Sequence, residues 1–335
     1  MLVINLKLAL MSKLHNKIIE ITKEVGFSQK SSFKTMDKLY RESSNLKDIK
    51  QIFGKFIGEE NIVHFASPRG VGKAFFLMQL CLCISSGQDS FIGEPIEKNG
   101  NTLYINLELN ESVISRRLKK LMANMPFETK GEFHSFVFTT RNGLLDELPN
   151  LIYKIQEYKP VLIVIDNLRL AFVGSDLNSG SEVTKLMFAL MAIRDFNSCA
   201  IVITDHFRKH TTNNLTDSDL HSGSGVKTDL SDADMFLRKS CQDKSYRLLK
   251  RCKSRNFEED EKTRLLRLNP DTLWLELIDP NVNEAEHVGI KSMTDKNEQI
   301  DMAKLLREQG KSFEEIGQVL GKNKSTVSRW FKDEK

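Results

Sequence analysis

The segment Ala66-Ser67-Pro68-Arg69-Gly70-Val71-Gly72-Lys73-Ala74 separates a short apolar run, Asn61–Ala66, from a long amphipathic one, Lys73–Ser86. The first reads as a strand and the second as a helix. Two glycines and a lysine therefore stand at a strand-to-helix turn, the context that a phosphate-binding loop requires. Gly70 and Gly72 let the backbone curl so that successive N–H groups face one anion. The helix presents the positive end of its dipole to the same point. Lys73 reaches the β- and γ-phosphates of a nucleotide as a point charge. Ser67, Pro68, Arg69, Gly70, Val71, Gly72, Lys73, Ala74 and Phe75 are the expected nucleotide-binding residues. Two depart from the pattern G-x-x-x-x-G-K-[ST]. Ser67 stands at the first glycine, and Ala74 stands where a hydroxyl would ligate Mg²⁺. An alanine has no oxygen for the metal, so a water must take that place.

The alternation continues along the chain. Strands are predicted at Thr102–Leu107, Phe133–Thr139, Val161–Asp166 and Cys199–Thr204, with helices at Glu111–Ala123, Leu144–Tyr158 and Ser181–Phe196 between them. This pattern predicts a mostly parallel sheet covered on both faces. Met235–Arg238, Tyr246–Cys252, Thr263–Leu268 and Leu273–Ile278 have no helices between them and read as an antiparallel extension of the same sheet. The expected fold is α/β, a mostly parallel sheet flanked by helices with an antiparallel extension, plus a small all-α unit at the carboxyl end. The expected organisation is a basic, helical amino-terminal segment (1–58), a sheet domain (59–280), a linker (281–294) and the helical unit (295–335).

Composition excludes several classes. Lys and Arg number 49 against 45 Asp and Glu, and a net charge of +4 does not by itself argue nucleic-acid binding, so any basic site must be local. The best apolar run, Phe75–Ile84, contains Gln79 and is about half as long as a membrane span, which argues against a membrane protein. Met1–Met11 is apolar, but Lys7 interrupts it and no small-residue cleavage site follows. It is expected to be a lead-in and not a signal peptide. The 5 cysteines form no C-x-x-C pair, which argues against a disulfide framework or a zinc site and fits a reducing cytoplasm. Cys81 and Cys83 are expected to be small buried hydrophobes.

Two strands end in carboxylates. Val161-Leu162-Ile163-Val164-Ile165-Asp166 delivers Asp166 to the carboxyl edge of the sheet, where ligands bind in open α/β folds. Asp166 is placed to hold Mg²⁺ through its water shell. Leu103-Tyr104-Ile105-Asn106-Leu107-Glu108 presents Glu108, a candidate to orient and polarise an attacking water.

These three motifs, in this order, resemble the RecA-fold P-loop ATPases, and more narrowly the DnaB/RepA-type hexameric helicase branch. Tyr104–Asn110 is similar to that branch's strand ending in the catalytic glutamate, and Ser67-Pro68 to the RepA-type loop, whereas Ala74 has no counterpart. Ile201–Lys209 resembles the strand that ends in a γ-phosphate sensor, a role for Asp205 or, preferred, His206. Gly223-Ser224-Gly225 and Asp232-Ala233-Asp234 resemble the branch's Gly-Ser…Ala-Asp segment. Lys250–Asn256 resembles the Lys-x-Arg that reaches the ATP of an adjacent subunit, which assigns Lys253 and Arg255 to act in trans. The surrounding stretch, Arg238–Arg255, holds eight basic residues and one acid, Asp243. The resemblance covers about residues 35–280. It implies ATP and Mg²⁺ as cofactors, a homo-oligomer (a ring or filament, a hexamer among the forms), DNA as a partner, and replication or recombination proteins as others. The loops 167–180 and 210–222 would then face a central channel, with Arg169, Arg208, Lys209 and Lys227 near them.

The carboxyl-terminal unit reads separately. Ile300, Ala303, Leu305 and Leu306 mark one helix, which Gly310 ends. Phe313, Ile316, Val319 and Leu320 mark a second, with Ser312 and Glu315 at capping-box spacing. Val327 and Trp330 mark a third. The pattern resembles the helix-turn-helix of resolvase-type and transcriptional DNA-binding domains. That resemblance places the third helix in the major groove by its amino-terminal end. Lys322, Lys324, Ser325, Thr326, Ser328 and Arg329 would meet bases or phosphates. A trihelical protein-docking unit is the competing reading.

The sequence thus points to an ATP-binding, ATP-hydrolysing, DNA-associated motor or loader in replication or mobilisation of a DNA element. The alternative is a nucleotide-gated DNA-binding regulator with weak or no hydrolysis. Ala74 favours the second; Lys73, Glu108, Asp166, Lys253 and Arg255 together favour the first.

Overall fold

The computed structural model describes residues 33–132, 134–172, 180–206, 229–258, 260, 262–287, 296–308, 310–320 and 322–331. Met1–Met11, Phe133, residues 173–179 of one channel-loop candidate and the whole of the other (210–222), Arg208, Lys209, Lys227, Gly223-Ser224-Gly225 and the side chain of Val319 lie outside the described residues. In chain order the elements are α1 (Met36–Ser43), β1 (Gln51–Phe53), β2 (Ile57–Gly58), β3 (Ile62–Ser67), α2 (Lys73–Ser85), β4 (Ser90–Phe91), β5 (Glu94–Pro95), β6 (Thr102–Asn106), α3 (Glu111–Ala123), β7 (Ser135–Thr139), α4 (Leu144–Tyr158), β8 (Leu162–Asp166), α5 (Leu168–Ala171) and α6 (Gly180–Asn197). There follow β9 (Ala200–His206), β10 (Ala233–Lys239), β11 (Tyr246–Ser254), β12 (Thr263–Leu268), β13 (Leu275–Val282), α7 (Glu284–His287), α8 (Lys296–Glu308), α9 (Phe313–Leu320) and α10 (Lys324–Trp330).

One 9-stranded sheet runs in the order β13-β12-β11-β10-β3-β9-β8-β6-β7. From β10 to β7 all neighbours are parallel, and from β10 to β13 all are antiparallel. The residue pattern explains this. Val63, Phe65, Tyr104, Val164 and Val202 share one core with Phe76, Leu77 and Leu80 of α2 and Leu121 of α3. Ile62, Ile105, Ile163, Ile165, Ile201 and Ile203 share another with Leu148 and Leu151 of α4 and Leu186 and Met187 of α6. Strands buried on both faces read as continuous apolar runs, which is how the sequence wrote them.

Three expectations need correction. The helix after the loop is not amphipathic: every residue of α2 except Ala74 and Phe75 is buried, and a helix buried all round is apolar all round. The boundary at 58 falls inside the sheet domain. The β1–β2 hairpin puts Ile52, Phe53, Phe56 and Ile57 in the same core as α2, with the Phe53 ring against Phe56, Phe76 and Phe91. The linker also starts later than 281. β13 continues through Pro280 to Val282, on an edge strand where a missing N–H is tolerated. α7 is then tied to the β10–β11 turn. His287 Nδ1 lies 3.0 Å from Ser240 Oγ, Cys241 N donates to the His287 carbonyl at 2.7 Å, and Glu284 pairs with Arg238 and Lys250 at 3.2 and 3.0 Å.

Cys81, Cys83 and Cys199 are buried, and burial pushes the Cys81 and Cys199 thiols up to about 12, so they behave as small apolar residues. Cys241 is exposed. α8, α9 and α10 form their own core of Ala303, Leu306, Ile316, Val327 and Trp330. Glu315 N donates to Ser312 Oγ at 3.3 Å and Ser312 N donates to Glu315 Oε2 at 2.7 Å, so the capping box is closed. The α9–α10 turn is tight: Lys322 N donates to the Gly317 carbonyl at 2.7 Å, and a Cβ on Gly317 would sit 2.5 Å from the Lys322 carbonyl oxygen. Among the described residues no helix is long and apolar enough to cross a membrane.

Candidate nucleotide site

β3 delivers the glycine loop to the carboxyl edge of the sheet. Gly70 and Gly72 take φ of +69° and +107°, where a side chain is strained. Among the described residues, a Cβ at Gly70 would meet nothing within 4 Å. Gly72 is the N-cap of α2, no side chain among the described residues caps that helix, and its first turn holds no acid. α3 and α5, by contrast, are capped by Asn110 and Asn167. The uncapped N–H groups and the dipole of α2 therefore suit an anion. The cleft has a volume of about 390 Å³ and is lined by the whole segment Ser67–Phe75, together with Glu108, Leu109, Arg117, Asp166, His206, Arg247 and Leu268.

The strand order β3-β9-β8-β6 assembles the candidates: His206 ends β9, Asp166 ends β8, and Glu108 stands just past β6. Lys73 is 7% exposed, and its Nζ donates to the Asp205 carbonyl at 2.5 Å. Burial lowers its pKa, opposed by the charges of Asp166, Asp205 and Glu108. Asp166 accepts from Thr204 Oγ1 at 2.7 Å and from the Tyr104 hydroxyl. Burial, followed by the Asp166 charge, holds the Tyr104 phenol well above its ordinary value. Glu108 is exposed and accepts from Asn167 Nδ2 at 2.6 Å. The turn that displays it is closed by the Asn106 side chain, which donates to the Leu109 carbonyl at 2.5 Å and accepts from Leu109 N at 2.9 Å.

His206 faces the cleft, its Nδ1 buried and without a partner among the described residues; burial first, then the Lys73 charge, lowers its pKa. Asp205 turns its carboxylate away, accepting from His206 N at 2.7 Å and lying 3.5 Å from His64 Nε2. Of the two sensor candidates, His206 is the one that lines the cleft. Lys253 and Arg255 do not line it. Lys253 pairs with Asp234, which pairs with His64 near the start of β3, so both basic residues lie toward the amino edge of the sheet. There Lys253 Nζ donates to the Ser231 carbonyl at 3.0 Å, and Arg255 meets the Asp229 carbonyl at 2.5 Å and Asp232 at 3.3 Å.

Sequence reasoning missed two arginines of the cleft. Arg117, on α3, lies over the Phe75 ring at 5.1 Å, and nothing in the sequence sets it apart from Arg116 beside it. Arg247, on β11, donates from Nε to the Val71 carbonyl. It was one of eight basic residues in its hairpin, and only the strand register singles it out. In the three-helix unit Lys322, Lys324, Ser325 and Arg329 are exposed and Thr326 and Ser328 half-buried, on and just before α10. Lys324 pairs with Glu314 at 3.3 Å.

Among the described residues no group of three or more His, Cys, Asp or Glu could hold a metal ion. Ala74 offers no oxygen, and Asp166 already accepts two hydroxyls. A divalent cation fits this donor set only on nucleotide phosphates and waters, with Asp166 reaching it through a water.

A family model described as an AAA domain matches residues 30–212, more than half of the chain. That span contains the loop and the strands that carry Glu108, Asp166 and His206. No curated protein matches the chain. The glycine loop at the end of β3 and the uncapped start of α2 lie within the matched span, and the match shows the family: the chain belongs to the AAA-domain family of P-loop ATPases.

Proposed function

We propose that this ATPase is a DNA-associated motor or loader of the DnaB/RepA type, acting as a homo-oligomer in the replication or mobilisation of a DNA element. One observation carries the reading. Lys73, Glu108, Asp166 and His206 converge on one cleft, whereas Lys253 and Arg255 stand at the far edge of the sheet. A site whose water-orienting and sensing groups are in place, with its Lys-x-Arg directed elsewhere, is suited to completion by a neighbouring subunit. In this reading Lys73 holds the phosphates, Glu108 orients the attacking water, His206 senses the γ-phosphate, and Asp166 holds Mg²⁺ through water. Mg²⁺, when bound, neutralises charge on the phosphates. The α8–α10 unit reads DNA by the amino-terminal end of α10, and buried free thiols fit a reducing cytoplasm.

The second reading, a nucleotide-gated DNA-binding regulator with weak hydrolysis, is favoured by Ala74 on the first turn of α2 and by the two hydroxyls on Asp166. ATP hydrolysis measured with and without DNA separates the two. Turnover stimulated by DNA supports the motor. Tight ATP binding with no turnover in either condition supports the regulator.

A further inference from the structure

Arg247 is 6% exposed and lines the cleft. A guanidinium stays charged in a protein, so this is a fixed positive charge taken out of water. Its hydrogen bonds go to main-chain carbonyls: Nε to Val71, and Nη1 to Lys244 at 2.7 Å and Tyr246 at 2.8 Å. Nη2 has no protein partner among the described residues. No described carboxylate forms an ion pair with Arg247, and Asp243, whose charge bears on it, is exposed. Burying a cation without a counter-ion is costly. Carbonyl oxygens offset part of that cost, and an incoming anion would offset more.

The sheet order says which part of a nucleotide that anion is. His206, Asp166 and Glu108 belong to β9, β8 and the end of β6, all on one side of β3. Arg247 belongs to β11, on the other side. The groups suited to the reacting γ-phosphate are thus across the loop from Arg247. We propose that Arg247 is a nucleotide-binding residue that contacts the non-transferred phosphates, the part shared by ADP and ATP. It also shapes the loop. Its bond to the Val71 carbonyl fixes the plane of the Val71–Gly72 peptide, and a planar trans peptide then sets the direction of Gly72 N–H. The proposal rests on the reading of this cleft as the nucleotide site.

The test uses the full chain as wild type, Lys73→Ala, Arg247→Met and Arg247→Lys. Fluorescent ADP and ATP are titrated, and kcat and KM for hydrolysis are measured. Arg247→Met is expected to weaken both nucleotides by the same factor, about tenfold or more. KM should rise in step and kcat stay within about twofold. Arg247→Lys should fall between, because it keeps the charge but not the planar fork. If Arg247→Met does not fold, Arg247→Lys decides, and wild-type affinity for ADP in that variant overturns the proposal. Weakened ATP with unchanged ADP overturns it as well. If Lys73→Ala loses nucleotide while both Arg247 variants retain it fully, the nucleotide site stands and the role of Arg247 falls. A wild-type chain that binds neither nucleotide overturns the reading of the cleft, and the proposal with it.

Discussion

Lys73 has no substitute in the loop: Arg69, the nearest basic residue, is exposed, whereas Lys73 is buried where α2 begins. Charge-assisted hydrogen bonds contribute about 1.5–3 kcal/mol each. Lys73→Ala is therefore expected to weaken ATP binding by about 10- to 100-fold, measured by calorimetric titration. Unchanged affinity would remove Lys73 from the site. At the next position, Ala74→Ser adds the missing oxygen to a helix turn that lines the cleft. Hydrolysis should rise, since Mg²⁺ gains a direct ligand; an unchanged rate would mean that water already serves. His206 offers a pH test. Burial lowers its pKa below the ordinary 6.5, so between the folded value and 6.5 the unfolded chain holds a proton that the folded chain does not. Its contribution to stability is present above 6.5 and is lost as the pH falls through the folded value. Tm followed from about pH 7 to pH 5 should fall less steeply in His206→Gln than in wild type. Equal slopes would show that another group titrates.

Elements were the most legible level. β12, α3 and α4 run as the sequence predicts, and most other ends differ by one or two residues, as ends do. What was missed was short or buried. β1 and β2 are 3 and 2 residues long, too short for an alternating pattern to declare itself. α2 lacks a polar face because helix, sheet and hairpin enclose it on every side. The capping box of α9 was readable because its partners are three residues apart. The demand on Gly317 was not, because the obstacle is the Lys322 carbonyl beyond the turn. Gly317→Ala should force the α9–α10 turn apart, costing about 1–3 kcal/mol or more. Trp330 is one of 2 tryptophans and lies in that small core, so its loss of packing should red-shift the fluorescence of the variant. An unshifted spectrum and an unchanged melting curve would show that the turn tolerates a methyl group.

At the scale of the whole molecule, the placing of Lys253 and Arg255 away from their own cleft makes a prediction about mixtures. Lys73→Ala and Arg255→Ala chains should each be inactive alone. Mixed, they should recover part of the hydrolysis, since some interfaces then pair an intact loop with an intact Arg255. No recovery in mixtures shown to co-assemble would reject action in trans. The tail makes a second. Removing residues 291–335 leaves α7 with its ties to the β10–β11 turn, so the sheet domain should keep its Tm and ATP affinity. Site-specific DNA binding should vanish, leaving sequence-blind binding that falls steeply with salt. Equal preference with and without the tail would favour a docking unit.

The sequence by itself determined the phosphate loop, the strand–helix alternation and the two carboxylates at strand ends. Each depends on residues adjacent along the chain, where backbone sterics and side-chain period decide the outcome. Only the tertiary structure decided that β9 lies between β3 and β8, that His206 and not Asp205 lines the cleft, and that Arg117 and Arg247 join it while Lys253 and Arg255 do not. Those outcomes depend on strand order and register. Strand order and register come from burying two faces of one sheet at once, and no local stretch of sequence contains both faces.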